Sequence, residues 1–265
     1  MPQEPPATAD GGPTQETSGH AQSSKLIHAR YLAAAGAPLH IRRAAGREDF
    51  NTIKQMIDDA KDRLRERGTD QWSTDWPDQF GRRRIHRVMA SIKEGKTWLA
   101  EFRSRDVTDP GMIAAATVTV EETGSTTVWT EAELSAYRAV YLNRLVVAEG
   151  LSGFHIGAAI IDWAGRRAWK RYNAHKIRID VWTANTALHS YYEKRGFEES
   201  GLVADKNYPA QQRYERDTSD ESGLGPSVLD SETPSGHQNV HNIYELLLTQ
   251  LQLWPLLILM RNKKN

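Results

Sequence analysis

Residues 141–158, YLNRLVVAEGLSGFHIGA, hold the residue types and spacing best suited to chemistry in this chain. Tyr141 to Val147 form an apolar run with β-branched residues and read as a strand. Gly150, Ser152 and Gly153 break that run, and from Ile156 onward the pattern turns helical. A strand that turns through glycines into a helix start gathers free backbone N–H groups at the positive end of the helix dipole, an arrangement that binds phosphate. Two common versions of such a site are excluded. No G-x-x-x-x-G-K-[ST] occurs, and Gly150-x-x-Gly153-x-x-x-Gly157 is not the dinucleotide spacing G-x-G-x-x-G.

The elements that must position this turn follow from periodicity. Residues 38–43 predict a first strand by the alternation of Leu39 and Ile41. Phe50, Ile53, Met56, Ile57, Ala60 and Leu64 recur at helical spacing and predict an amphipathic helix ending near Gly68. A loop with Trp72, Trp76 and Phe80 leads to a second helix over 82–93. Residues 97–102 and 112–121 predict a hairpin around Asp109, Pro110 and Gly111. A short helical piece at 131–138 precedes the strand of the turn. A helix over 156–171, a strand over 176–182, a helix over 185–194 closed by Gly196, and two short strands near 202 and 212–216 complete the order. The expected fold is α/β (α+β): a mixed, mostly antiparallel central sheet of about six to seven strands with helices on both faces.

Composition bounds the rest. Lys plus Arg and Asp plus Glu each number 34, so no basic face points to nucleic acid. The absence of cysteine excludes disulfides, thiolate metal sites and a cysteine nucleophile, and fits a reducing, cytoplasmic setting. The expected domains are a disordered N-terminal tail over 1–37, within which 26–35 has some helical character, a folded domain over 38–217, and a polar linker over 218–238. A Leu-rich amphipathic segment over 239–265 follows. Glu245, Thr249, Gln250, Gln252 and Pro255 in that last segment argue against a membrane span, leaving docking on a partner or its own domain, or peripheral membrane contact. His237 and His241 have metal-pair spacing but no third ligand nearby, so no metal is expected.

The strand–turn–helix, followed by Asn185-Thr186-Ala187 and then Tyr192-Glu193-Lys194-Arg195-Gly196-Phe197, resembles the GNAT superfamily of acyl-CoA N-acyltransferases over residues 38–217. The second motif is the more specific of the two. In that family the diphosphate turn reads Arg/Gln-x-x-Gly-x-Gly/Ala, and those positions fall here on Ser152, Gly153, Phe154, His155, Ile156 and Gly157, with Ala158 next. Ser152 replaces the Arg or Gln, removing a charge-assisted contact of about 1.5–3 kcal/mol. His155 replaces the central glycine, at a cost of about 1 kcal/mol if its φ is positive.

The resemblance implies acetyl-CoA as acyl donor and backbone N–H groups of Leu145, Val146 and Val147 as the groups that polarise its thioester. It further implies Asn185 as a cofactor contact, which a helix N-cap role would also explain, and Tyr192 as the acid for the leaving thiolate. Asp180, twelve residues before Tyr192, falls where some members carry a carboxylate base. A pairing with Arg178 or Arg144 explains it equally well, and Glu131 and Glu133 are weaker candidates. Trp72, Trp76, Trp129 and Trp182 fall where the family places its acceptor, although core packing is the commoner fate of tryptophan. The implied function is acetyl-CoA-dependent N-acetylation of a primary amine of a small molecule by direct attack in a ternary complex. A catalytically weak acyl-CoA-binding or regulatory module is the alternative, and acylation of protein amines a third reading. A homodimer is compatible with either.

Overall fold

The computed structural model describes residues 16–69, 71–72, 84–105, 110–122, 128–203 and 210–231, with side chains from residue 23 onward. Among them one eight-stranded sheet runs in the order β6-β7-β5-β4-β3-β2-β1-β8. Its strands are β1 Leu39–Arg43, β2 Thr97–Arg103, β3 Met112–Glu121, β4 Ala139–Val147, β5 Lys176–Val181, β6 Glu198–Leu202, β7 Gln212–Asp217 and β8 Val228–Ser231. The helices are α1 Glu16–Ala34, α2 Gly46–Glu66, α3 Arg84–Lys93, α4 Glu131–Ala136, α5 Ile156–Tyr172 and α6 Thr186–Glu193. β4 pairs in parallel with β5, and β1 with β8; the other pairings are antiparallel.

Helices cover both faces. α2 buries Ile53, Met56, Ile57 and Ala60, the stripe its periodicity predicts, and packs with Val88 and Ile92 of α3 on Leu99 and Val146 of the sheet. The other face carries α1 and α5, around Trp98, Phe102, Val140, Leu142, Ile160 and Ile161. α5 buries residues almost all round, from Ile156 through Ala168. A helix that is apolar on every side needs cover on its outer side as well as from the sheet.

The outer cover comes from residues expected to be a linker. Residues 218–231 run back along α5 and end as β8 beside β1, which supplies the eighth strand. Asp162 of α5 anchors this strap: it accepts from the Ser222 and Gly223 N–H groups and the Ser222 hydroxyl, and it pairs with Arg216 at 3.1 Å. Arg167 reaches Asp230 of β8 at 2.9 Å while lying over Trp98. Gly225 has φ +89 and lies so close to the His155 carbonyl that a Cβ there would sit 2.6 Å from it. Polar composition misled the linker assignment because the strap is held by hydrogen bonds and ion pairs more than by apolar burial.

The N-terminal expectation differs similarly. α1 begins at Glu16, and Ala29 and Leu32 are buried against the core, with Leu26 over Gly150. Small alanines make this stripe weak in the sequence. His237, His241 and the Leu-rich segment lie outside the described residues, as do Trp76 and Phe80.

Candidate active site

β4 and β5 pair only from Ala139↔Lys176 to Tyr141↔Arg178. Beyond that the strands part, and among the described residues β4 from Leu142 to Val147 has no strand on its β5 side. A bulge in the β3–β4 ladder lies between the Thr117 and Thr119 pairings, at Arg144, whose φ is 51. It shifts the phase of β4: Tyr141 shares a face with Trp129, whereas after the bulge Val146 faces α2 and α3. Ala148 N–H donates to Ala115, so by alternation the peptide groups of Val147 and Leu145 point into the gap. Arg63 of α2 donates to the Val147 carbonyl from that side at 3.2 Å.

The glycine turn sits at the end of this open edge. His155 is the N-cap of α5 in the left-handed region, φ 55 and ψ 21, with no side-chain cap. The N–H groups of Ile156, Gly157 and Ala158 thus have no acceptor within the helix. Ser152, Gly153 and His155 are exposed, and Phe154 is partly buried. Gly157 keeps the turn open to close approach: a Cβ there would run into the Tyr191 hydroxyl and lie 3.7 Å from Val147.

α6 carries the aromatic hydroxyls. Asn185 caps it through Oδ1, accepting from Leu188 N–H at 3.1 Å, while its Nδ2 donates to Gln71 at 2.6 Å. Oδ1 thus caps α6 while Nδ2 ties it to the loop after α2, and a cofactor contact from Asn185 would use its second amide N–H or the remaining oxygen lone pair. His189 bridges the Trp182 carbonyl and the Tyr214 hydroxyl, each at 3.0 Å. Tyr191 and Tyr192 meet edge to face with ring centroids 5.3 Å apart, and Tyr192 packs on Phe197. Burial raises Tyr192 well above the ordinary phenol range, with Tyr191 and then Asp180 adding to the shift. Burial likewise raises Tyr191, against the nearby Arg195 charge.

Asp180 stands two residues past the last β4–β5 pair, in the parted half of the gap. Its charge contributes, after burial and Tyr191, to raising the Tyr192 pKa. Arg178 pairs with Glu215 at 2.7 Å instead and lies over Trp129. Glu133 is occupied by the Thr130 capping box and by Arg213 at 2.9 Å. Burial works to raise its pKa, but those hydrogen bonds win and lower it, which makes it a poorer base. Trp129 is buried between Arg178 and Arg213, a packing role and not an acceptor wall. Trp72 and Trp182 are partly buried near the ends of α2 and β5.

Sequence reasoning missed Tyr191, Arg63 and Gln71. Tyr191 stands next to a motif residue with no signal of its own, and Arg63 meets Val147 across 84 residues of chain.

An open mixed sheet parting between two parallel strands, beside a glycine turn and a helix start, leaves a crevice at the carboxyl ends of the strands, the place where open α/β sheets bind ligands. The family model described as the acetyltransferase (GNAT) family matches residues 57–197, more than half of the chain, and the chain belongs to that family. It is 27% identical over 157 residues to YesJ of Bacillus subtilis (strain 168), an N-acetyltransferase that is itself uncharacterized, covering 59% of this chain and 81% of that one. It is 25% identical to a GNAT-family acetyltransferase of Listeria monocytogenes 4b F2365, with a TM-score of 0.51 over 67% of this chain and 93% of that one. The fold and the acetyltransferase class agree with the sequence-based expectation.

Proposed function

We propose that this protein is an acetyl-CoA-dependent N-acetyltransferase that acylates the primary amine of a small molecule by direct attack, both substrates being bound together. The observation that carries the reading is the parting of β4 from β5 beside the α5 helix start, where Gly157 lies against Val147 of β4 and Tyr191 of α6. Acetyl-CoA supplies the activated acetyl thioester. The residues present fit it: an unpaired β4 edge, a glycine turn whose Gly157 leaves room for close approach, and a buried Arg63 nitrogen with no hydrogen-bond partner among the described residues.

The N–H groups of Leu145 and Val147 stabilise negative charge as it develops on the thioester oxygen. Those of Ile156, Gly157 and Ala158 take the diphosphate at the positive helix end. The Tyr192 hydroxyl, kept protonated by burial, donates its proton to the leaving sulfur. Asp180 accepts the amine proton through a water, since aspartate is short for direct contact. Gln71 and Asn185 hold the loop after α2 against α6, where an acceptor would enter.

Removing the acid costs about 10²–10⁴-fold in such reactions. Tyr192→Phe is expected to lower kcat by at least about 10²-fold with the acetyl-CoA Kd unchanged; an unchanged kcat removes Tyr192 from the mechanism. Ser152 and His155 favour a second reading, a regulatory acyl-CoA-binding module. That reading predicts binding of acetyl-CoA without thiol release in the presence of amines.

A further inference from the structure

The turn after β4 lacks the arginine or glutamine that the family resemblance implies, and the sequence has no lysine or arginine between Arg144 and Arg166. An anion at this turn would meet backbone N–H groups and no nearby cation from the same segment. A cation comes from a different element. Arg63, in the last turn of α2, extends to the end of β4, where Nη2 donates to the Val147 carbonyl at 3.2 Å. Its Nη1 is buried and has no hydrogen-bond partner among the described residues. The nearest carboxylate, Glu149, stands 3.9 Å away, beyond hydrogen-bond reach, on a side chain that is 63% exposed. Val147 also lies against Gly157, so one residue links Arg63 to the helix start.

We propose that Arg63 is the arginine of this anion site, supplied by α2 in place of one in the turn, and that it binds the diphosphate of acetyl-CoA. The proposal rests on the acetyl-CoA reading above. A guanidinium nitrogen without an acceptor is unfavourable in the free protein and gains most when a charged acceptor arrives. Glu149 covers that nitrogen without bonding it, and an exposed carboxylate at this distance holds it weakly. A phosphate oxygen replaces Glu149 there and bonds Nη1, while Nη2 keeps the Val147 carbonyl. The planar fork presents a separate nitrogen to each acceptor in fixed geometry, where a lysine offers a single point charge. Arg195 also has a buried nitrogen, Nε, without a hydrogen-bond partner among the described residues, but its guanidinium stacks on the Tyr191 ring and its Nη1 donates to the Tyr191 carbonyl at 2.6 Å, away from the β4 edge that Arg63 reaches.

The test is calorimetric binding of CoA and of pantetheine, which lacks the diphosphate, to the full chain and its variants. Arg63→Gln is expected to weaken CoA about tenfold or more and pantetheine less than about threefold, one charge-assisted contact being lost. Glu149→Gln is expected to tighten CoA. Adding Ser152→Arg to Arg63→Gln is expected to recover most of the lost CoA affinity, which a merely structural role for Arg63 would not allow. Arg63→Lys, with its charge kept and its fork lost, is expected to fall between wild type and Arg63→Gln, and guards against a variant that fails to fold. Equal weakening of CoA and pantetheine, or no weakening of either, overturns the proposal. A wild-type protein that binds neither overturns the acetyl-CoA reading itself.

Discussion

At the residue scale, His155 concentrates the tension between folding and binding in the turn. It adopts φ 55, where an L side chain costs about 1–2 kcal/mol, and its imidazole is exposed and caps nothing. Glycine at this position removes that cost but adds about 0.5–1 kcal/mol of unfolded-state entropy. His155→Gly is therefore expected to stabilise the fold by about 0.5–1 kcal/mol in chemical denaturation, and to tighten CoA by opening the turn. Weaker CoA binding in that variant would make the imidazole itself a phosphate ligand. In the proposed mechanism Tyr192, as the acid, sets the alkaline side of the pH dependence. Burial, Tyr191 and Asp180 all raise its pKa, so the phenol stays protonated through neutral pH, and the acid is lost only as pH rises past its shifted value. The alkaline limb of kcat that disappears in Tyr192→Phe should lie above about pH 10, the ordinary tyrosine value. A limb near pH 7 would assign that titration to another group.

At the element scale, α5 is held by a strap whose importance its composition hides. Asp162 and Arg216 are both almost fully buried, and Asp162 also takes the Ser222 and Gly223 backbone. Removing one partner of such a pair leaves the other charge buried and costs about 3–5 kcal/mol. Asp162→Ala is expected to lose that much in urea unfolding, whereas Glu221→Ala, which breaks the exposed Arg166 pair, should stay within about 0.5 kcal/mol. A small effect at Asp162 would mean that the strap contributes little to α5. The contrast with the core explains what was legible in the sequence. α2 announced itself through Ile53, Met56, Ile57 and Ala60, and β4 through its β-branched run, because apolar periodicity is a local signal. The strap and β8 were hidden because their partners, Asp162 and β1, lie about 60 to 190 residues away and are met through polar groups. α1 was half hidden, since alanines bury little area and mark a stripe faintly.

Across the whole molecule, three distant parts of the chain converge on one turn. α1 places Leu26 over Gly150, the strap places Gly225 against His155, and α2 brings Arg63 to Val147. The turn thus has its geometry fixed from both termini of the described chain while its own sequence departs from the family pattern. That also divides the candidate site by legibility. As candidates, Asp180, Tyr192, Gly157 and Asn185 were readable from motif spacing. Tyr191, Arg63 and Gln71 were not, because only the folded sheet brings them to the opening. The position of Trp129 was misleading for the same reason: Arg178 and Arg213, from two other strands, enclose it. The acetyltransferase reading is tested most directly by thiol release from acetyl-CoA across a panel of small-molecule amines. Wild-type protein is expected to release thiol only when an acceptor amine is present, with the rate cut by at least about 10²-fold in Tyr192→Phe. Tight acetyl-CoA binding with no amine-dependent thiol release would contradict it and leave a binding module in its place.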